Sequence, residues 1–220
     1  MEFKTRCANL EDLPSIVEIH KSSFDGFFLT RMGAPFLQAY YGIVADYPGG
    51  ILLVTEHDGQ PVGFVAGFVD PPRFYASLSA NKVRLLWPTL RGLLCDPRLF
   101  PLVLANRRRV GQIFEVSSPR LEVESELSSI AVHPLARGKG AGRELVRAFL
   151  DLSVQRGVQS VRLTTDATDN GRTHAFYSGL GFHQTGVTFL RRGRTMLEYV
   201  LPLCSSPLEA PETLILGQPQ

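Results

Sequence analysis

Apolar residues along this chain keep two periods, and the switches between them mark the elements. Phe3, Thr5 and Cys7 alternate with polar neighbours, which predicts a first strand. Asn9 is placed to cap a helix carrying Leu13, Ile16, Val17, Ile19 and His20, with Pro14 in the first turn, where its missing N–H costs nothing. Beyond the stretch 24–33, a second helix is predicted over 35–46, with Phe36, Leu37, Tyr40, Tyr41 and Val44 at its apolar positions. Pro48-Gly49-Gly50 stops it. Strands over 51–55 and 62–69 flank Asp58-Gly59, the two-residue signal of a tight hairpin.

From residue 71 to 119 the pattern loosens. Pro71, Pro72, Pro88, Pro97 and Pro101 divide it into short apolar segments over 83–87, 90–94 and 99–104, read as helices and turns. Order returns with Val123, Leu127, Ile130 and Val132, a strand that ends at Pro134, which cannot donate to a ladder. Leu145, Val146, Phe149, Leu150 and Leu152 then recur at helical spacing up to Gly157. A strand over 160–165, a helix holding Tyr177, and two strands over 185–190 and 196–201 around Arg191–Arg194 complete the pattern. The residues from Cys204 to Gln220 are rich in Pro and Ser, and a disordered tail is expected there. The expected organisation is one domain over 1–203, with 71–119 as an enlarged helical insertion.

Composition narrows the class. With 220 residues, 44% hydrophobic and 20% charged, the chain suits one ordinary globular domain. A formal net charge of +2 implies no broad field for nucleic acid or an anionic membrane. No stretch reaches the roughly 18 apolar residues of a membrane span, and the start does not read as a signal peptide. Cys7, Cys95 and Cys204 are odd in number and lack metal or redox spacing, which fits reduced thiols in a cytoplasm.

The chemistry concentrates in the turn after Val132. Gly138, Gly140 and Gly142 remove side chains that would keep a ligand from the backbone, and the N–H groups of the following helix point into the space they leave. Arg137, Lys139 and Arg143 flank it. Such a terminus attracts phosphate. A Walker loop would need Ser or Thr after Lys139, where Gly140 stands, and a dinucleotide fingerprint would need a small residue at Arg143. Arg137, Gly140 and Gly142 instead satisfy Arg/Gln-x-x-Gly-x-Gly/Ala. A second segment, Asn170 through Tyr177 to Gly181-Phe182, follows in the right order.

These two segments resemble the acyl-CoA loop and the Asn-(x)6-Tyr-(x)3-Gly-Phe segment of the GNAT superfamily of N-acyltransferases. The resemblance implies an α/β (α+β) fold with a central mixed, mostly antiparallel sheet of six to seven strands flanked by helices. It also implies acetyl-CoA as cosubstrate, held by Arg137, Gly138, Lys139, Gly140, Ala141, Gly142 and Arg143, with Asn170 as a further contact. Backbone groups of Ile130, Ala131 and Val132 would pair with the pantetheine arm as if it were an added strand.

Acetyl transfer to an amine asks for placement, a proton acceptor and a proton donor, with backbone N–H groups to hold the oxyanion of the tetrahedral intermediate. Glu122, Glu124 and Glu126 fall two apart and share one strand face, where their charges repel. Glu126 matches the general base of the family's histone-acetylating branch, with Glu124 as substitute. Tyr177 matches the tyrosine that reaches the CoA sulfur, and Asn170 would also cap its helix. His133, His174 and His183 read as surface residues without zinc spacing, and no metal is expected. Arg107, Arg108 and Arg109 read as a solvated helix end, the alternative being a contact to the ligand's phosphates. Phe24, Phe27, Phe28, Tyr40 and Tyr41 read mostly as core, with one or two walling the acceptor site. Roles open to the insertion are lining the acceptor pocket, forming a dimer surface, or padding the core. The expected reaction is direct attack in a ternary complex on a primary amine of a small molecule, such as an amino sugar or amino acid. The alternatives are a protein or peptide acceptor, or a non-catalytic CoA-binding module. A homodimer is compatible with this reading; a nucleic-acid partner is not expected.

Overall fold

Period-two segments become strands and period-3.6 segments become helices, in the expected order. The computed structural model describes residues 2–101, 103, 123–168, 170–191 and 194–203. Among these, β1 (Lys4–Cys7), β2 (Gly50–His57), β3 (Gln60–Val69), β4 (Glu124–Val132), β5 (Ser160–Asp166), β6 (His183–Arg191) and β7 (Arg194–Pro202) form one sheet in the order β1-β2-β3-β4-β5-β7-β6. Neighbours are antiparallel except β4 and β5. Helices α1 (Leu13–Ser23), α2 (Phe28–Arg31) and α3 (Ala34–Asp46) precede β2, and α4 (Pro71–Ala80) and α5 (Lys82–Cys95) follow β3. Helices α6 (Ala141–Gln155) and α7 (Gly171–Ser178) precede and follow β5. The α/β class and the mixed, mostly antiparallel sheet are as expected.

Local chemistry explains the boundaries. Asn9 Oδ1 accepts from the Glu11 and Asp12 amides at 2.9 and 3.1 Å, and Asp12 Oδ2 accepts from the Asn9 amide at 2.7 Å. This capping box opens a short 3₁₀ turn that runs into α1. Arg6 of β1 grips the buried Asp12 with two bonds, at 2.7 and 2.8 Å, and reaches Glu56 of β2 as well. The guanidinium holds the Asp12 carboxyl below its ordinary range. Asp58 and Gly59 both take left-handed φ, 51° and 73°, as the two-residue hairpin between β2 and β3 requires.

Two layers cover the sheet. Ile16, Val17, Leu37 and Tyr41 of α1 and α3 pack on Val54, Phe64 and Ala66 of one face. Leu145, Val146 and Phe149 of α6 pack on Leu53, Val65, Leu127, Val161 and Leu163 of the other. Fully burying side chains of this size contributes about 1.5–3 kcal/mol each.

The proline-rich segment departs from expectation. Pro71 and Pro72 open α4, where the first turn needs no N–H, and Pro88 lies inside α5 without breaking it. An internal proline costs about 3 kcal/mol. Here the helix is held from outside: Gly92 packs so closely on α2 that a Cβ would lie 2.8 Å from the Met32 carbonyl oxygen, and Leu85 and Leu93 pack inward beside it. The segments expected over 83–87 and 90–94 are therefore one helix. Helix α2, inside the stretch 24–33, was not expected. Glu122, Arg107 to Arg109, the remainder of the expected insertion and the expected tail lie outside the described residues.

One core residue ties folding to pH. His20 of α1 is 2% exposed, shares a 2.7 Å hydrogen bond between Nδ1 and the Tyr41 hydroxyl, and lies against the rings of Phe24 and Phe64. Burial pushes its pKa from 6.5 down to about 4. The unfolded chain therefore takes a proton in a range where the folded protein does not, so stability falls as pH drops through that window. Denaturant unfolding should show a loss of roughly 3 kcal/mol between pH 7 and pH 4. Most of that slope should vanish in His20→Leu; an unchanged slope would show that another group carries it.

Candidate active site

The site begins with one extra residue. Between β3 and β4 the register slips: Ala66 faces Ser129 while Gly67 faces Leu127, leaving Ser128 as a bulge. Its Oγ donates to the Ala66 carbonyl at 3.2 Å. A bulge bends its strand and sharpens the local twist. The parallel ladder between β4 and β5 runs from Glu124 opposite Ser160 to Leu127 opposite Leu163 and stops there. Both strands continue, β4 to Val132 and β5 to Asp166, so a wedge-shaped gap opens between them.

Peptide groups line this gap. The His133 amide donates to the Val62 carbonyl at 2.8 Å, so the alternating pleat also turns Ala131 toward β3. Ile130 and Val132 turn their N–H and C=O the other way, toward the gap. Gly67 lets the layers behind approach: a Cβ there would lie 2.2 Å from the Glu126 carbonyl oxygen and 2.6 Å from the Phe149 ring.

At the gap's end the chain passes through the glycine turn into α6. Gly138 and Gly140 take φ of 73° and 96°, and no atom lies within 4 Å of where their Cβ would be. The space above the turn is open, a cradle that side chains would fill. Gly142 serves differently, since a Cβ there would touch Phe176 and Val132 at 3.6 Å, leaving room for little more than a methyl group. The amides of Ala141, Gly142 and Arg143 precede the first helical bond, Glu144 N–H to Gly140 C=O, at 3.0 Å. Ala141 is buried, so it offers the cradle only its N–H, whereas Lys139 and Arg143 are exposed at the rim. Arg137 leans away, with Nε donating to the Val132 carbonyl at 3.2 Å and Nη2 to Ser23 Oγ at 3.4 Å.

On the α1 side of the sheet, β4, β5 and β7 present polar groups. Val161 and Leu163 point to the α6 layer, so Arg162 and Asp166 point to the opposite face. Arg162 Nη2 lies 2.8 Å from both carboxylate oxygens of Glu124, and its Nη1 lies 3.1 Å from Glu198. The repulsion expected between neighbouring carboxylates is offset by this guanidinium. Glu126 instead accepts from the Tyr75 hydroxyl of α4 at 3.0 Å. Behind the bulge, the buried Tyr41 hydroxyl joins His20 to the Ser129 side chain, and burial raises the Tyr41 pKa well above its ordinary value. Over the front, Arg194 pairs with Asp166 and stacks at 4.1 Å on the ring of Phe27 from the loop after α1.

Tyr177 of α7 sits on the other side of the gap, 6% exposed among Phe176, Phe182 and Tyr199. Its hydroxyl takes no partner among the described residues, and burial pushes its pKa up. Asn170 occupies the N-cap position of α7, but its side chain makes no cap bond. Its Nδ2 donates to Thr165 Oγ1 at 2.7 Å and to the Asp166 carbonyl, securing the end of β5 instead. His183 is exposed as expected. His133 is half-buried and accepts from the Leu135 amide at 3.4 Å. His174 is also half-buried and shares a 2.9 Å bond with the Tyr199 hydroxyl, so it belongs to the packing rather than the surface. Among the described residues no three His, Cys, Asp or Glu side chains converge as a metal site.

Tyr75, Ser129, Arg162, Arg194 and Glu198 escaped sequence reasoning. The alternation through Val161 and Leu163 places Arg162 on the face of Glu124 and Glu126, so that signal was readable. Tyr75 gave none, because its partner lies 51 residues away.

Comparison with known proteins agrees with this geometry. A family model described as acetyltransferase (GNAT) family matches residues 13–182. No curated protein matches the chain. Among solved structures, Ard1 from Thermoplasma volcanium superposes with a TM-score of 0.58 at 18% identity, over 93% of this chain and 99% of that one. The ribosomal-protein-S18-alanine N-acetyltransferase from Escherichia coli gives 0.58 at 15%, over 94% and 99%. A chain of the NatC complex bound to Gag peptide and CoA gives 0.58 at 14%, over 93% and 100%. At these identities the likeness establishes the fold. The family model does more, because its span from the start of α1 to Phe182 contains the bulge, the gap, the glycine turn and Tyr177, and the chain belongs to the GNAT acetyltransferase family.

Proposed function

We propose that the protein transfers an acetyl group from acetyl-CoA to a primary amine, by direct attack within a ternary complex. The observation that carries this is the gap between β4 and β5, flanked at one end by the open glycine cradle. Amides of Ala141, Gly142 and Arg143 would hold the diphosphate, with Lys139 and Arg143 adding charge. Peptide groups of Ile130 and Val132 would take the pantetheine arm as a short added strand, with Arg137 moving off the Val132 carbonyl that it now donates to.

Acetyl-CoA supplies the activated acyl group and a sulfur leaving group. Glu126, oriented by Tyr75, takes the proton that the acceptor ammonium must lose before its nitrogen can attack. Glu124 suits this role less well, because Arg162 already donates to its carboxylate. As the carbon–sulfur bond breaks, Tyr177 gives its proton to the departing sulfur. Burial keeps that hydroxyl protonated across the working pH range, which suits a donor.

The front face favours a cationic acceptor. Glu124, Glu126, Asp166 and Glu198 outnumber Arg162 and Arg194, so its field attracts an ammonium. The contact between Phe27 and Arg194 bridges the opening, which suits a slim acceptor such as an amino sugar or amino acid. A peptide N-terminus is the second reading, favoured by neighbours named as protein N-acetyltransferases. A thiol-release assay over small amines and peptides with free or blocked N-termini separates the two.

Two kinetic outcomes are expected. Glu126→Gln should lower kcat by about 10²–10³-fold and flatten the acidic limb of the pH–rate profile, while Tyr177→Phe should lower it by about 10–10²-fold. Acetyl-CoA affinity should change little in either. Unaltered turnover in both would rule the mechanism out. Separately, Gly140→Val imposes a left-handed φ on a β-branched residue and fills the cradle. Calorimetry should show CoA binding weakened by at least about tenfold, with the thermal transition checked to confirm folding; retained affinity would remove the diphosphate from this turn.

A further inference from the structure

Helix α5 carries apolar residues on two faces, and only one of them meets the core. Leu85, Gly92 and Leu93 pack inward, against α2 and α3. Val83, Leu86, Trp87, Leu90 and Leu94 are 46–76% exposed. At 100° per residue these five fall within an arc of about 100°, a continuous stripe directed away from the protein. Phe100, 63% exposed, follows beyond the helix. Exposed apolar residues elsewhere, such as Leu10, Leu135 and Val154, lie far apart in the chain and form no such row. A stripe of this kind needs an occupant.

Charge decides which one. No Asp or Glu occurs between Lys82 and Cys95. Lys82 and Arg91 border the stripe on its two sides, Arg98 follows the helix, and Arg84 is engaged with Asp46 at 2.6 Å. A second copy of the chain, meeting this face about a twofold axis, would set one cationic border against another. The sequence that follows adds Arg107, Arg108 and Arg109, again of the same sign. Asp96 at the helix end is paired with Arg31. A row of Val, Leu and Trp flanked along the helix by Lys and Arg matches an anionic lipid interface, where the apolar row enters the acyl boundary and the cations meet headgroups. The helix, 14 residues long, is too short to span a bilayer.

We infer that α5 docks the protein flat on an anionic membrane surface through Val83, Leu86, Trp87, Leu90 and Leu94. The overall charge of +2 conceals this local patch. Helix α4, whose Tyr75 holds Glu126, leads directly into α5, so docking would fix the orientation of the acceptor face toward the bilayer. The inference does not require acetyl transfer to be correct.

Trp87 is the chain's single tryptophan and therefore a specific probe. The full-length protein is mixed with vesicles of phosphatidylcholine alone, or with about one third phosphatidylglycerol, and both sedimentation and Trp emission are followed. Expected on the anionic vesicles is co-sedimentation with a blue shift of about 10 nm, weakened by salt, and little binding to the neutral ones. Leu90→Asp should weaken partitioning at least about tenfold, and Arg91→Glu about fivefold or more on anionic vesicles only. Both positions are exposed, and an unchanged thermal transition confirms that the variants fold. Absence of binding, or equal binding to both vesicles, overturns the inference. Two results would name the true occupant. A concentration-dependent dimer abolished by Leu90→Asp would identify a second copy. Trp87 shielded from acrylamide in the isolated monomer would identify another part of the chain.

Discussion

A single unpaired residue at Ser128 governs the architecture around the site. Two neighbouring parallel strands in the middle of a sheet would ordinarily hydrogen-bond along their shared length, since buried peptide groups without partners are costly. Here the bulge turns β4 just after Leu127, and the ladder to β5 ends at that point. The turned portion points the peptide groups of Ile130 and Val132 away from β3, where Arg137 reaches the Val132 carbonyl, and aims the chain at the glycine turn. Gly67 makes the geometry tolerable, because no side chain could stand between the Glu126 carbonyl and the Phe149 ring. Cradle, gap and carboxylate face all follow from that local departure from regular pairing.

Both sides of the gap are then held by polar contacts of different character. On the carboxylate side, Arg162 balances Glu124 and Glu198, and the neutral Tyr75 hydroxyl of α4 donates to Glu126. Two carboxylates of the same strand face thus receive different partners. Behind the bulge, the buried His20 and Tyr41 meet the half-buried Ser129 side chain and tie the turned part of β4 to α1 and α3. On the opposite side Tyr177 is packed among aromatic rings, and Asn170 secures the end of β5.

Much of this was legible in the residue pattern, and the exceptions share a cause. Periodicity located the strands and the major helices, since burial on one face imposes a period whatever the neighbouring element is. The glycine turn was readable because a left-handed φ at Gly138 and Gly140 demands that residue type. Pro88 misled, because its cost is local while the packing of Gly92 and Leu85 that offsets it comes from α2 and α3. The Asn170 side chain likewise obeyed a tertiary neighbour, Thr165, over its capping preference. Tyr75 and the contacts behind Ser129 depend on residues distant in sequence, and nothing in their own segments announces them. The net charge of +2 averaged away the cationic border of α5.

The open gap also bears on how long the protein survives in a cell. Two strands at the heart of the sheet keep unused hydrogen-bonding capacity, and a molecule that occupies it selectively favours the native ensemble over the unfolded one. Saturation a hundredfold above the dissociation constant would add about 2.7 kcal/mol. Any molecule that fits the gap would thereby slow the protein's loss to proteases, which act on the unfolded chain.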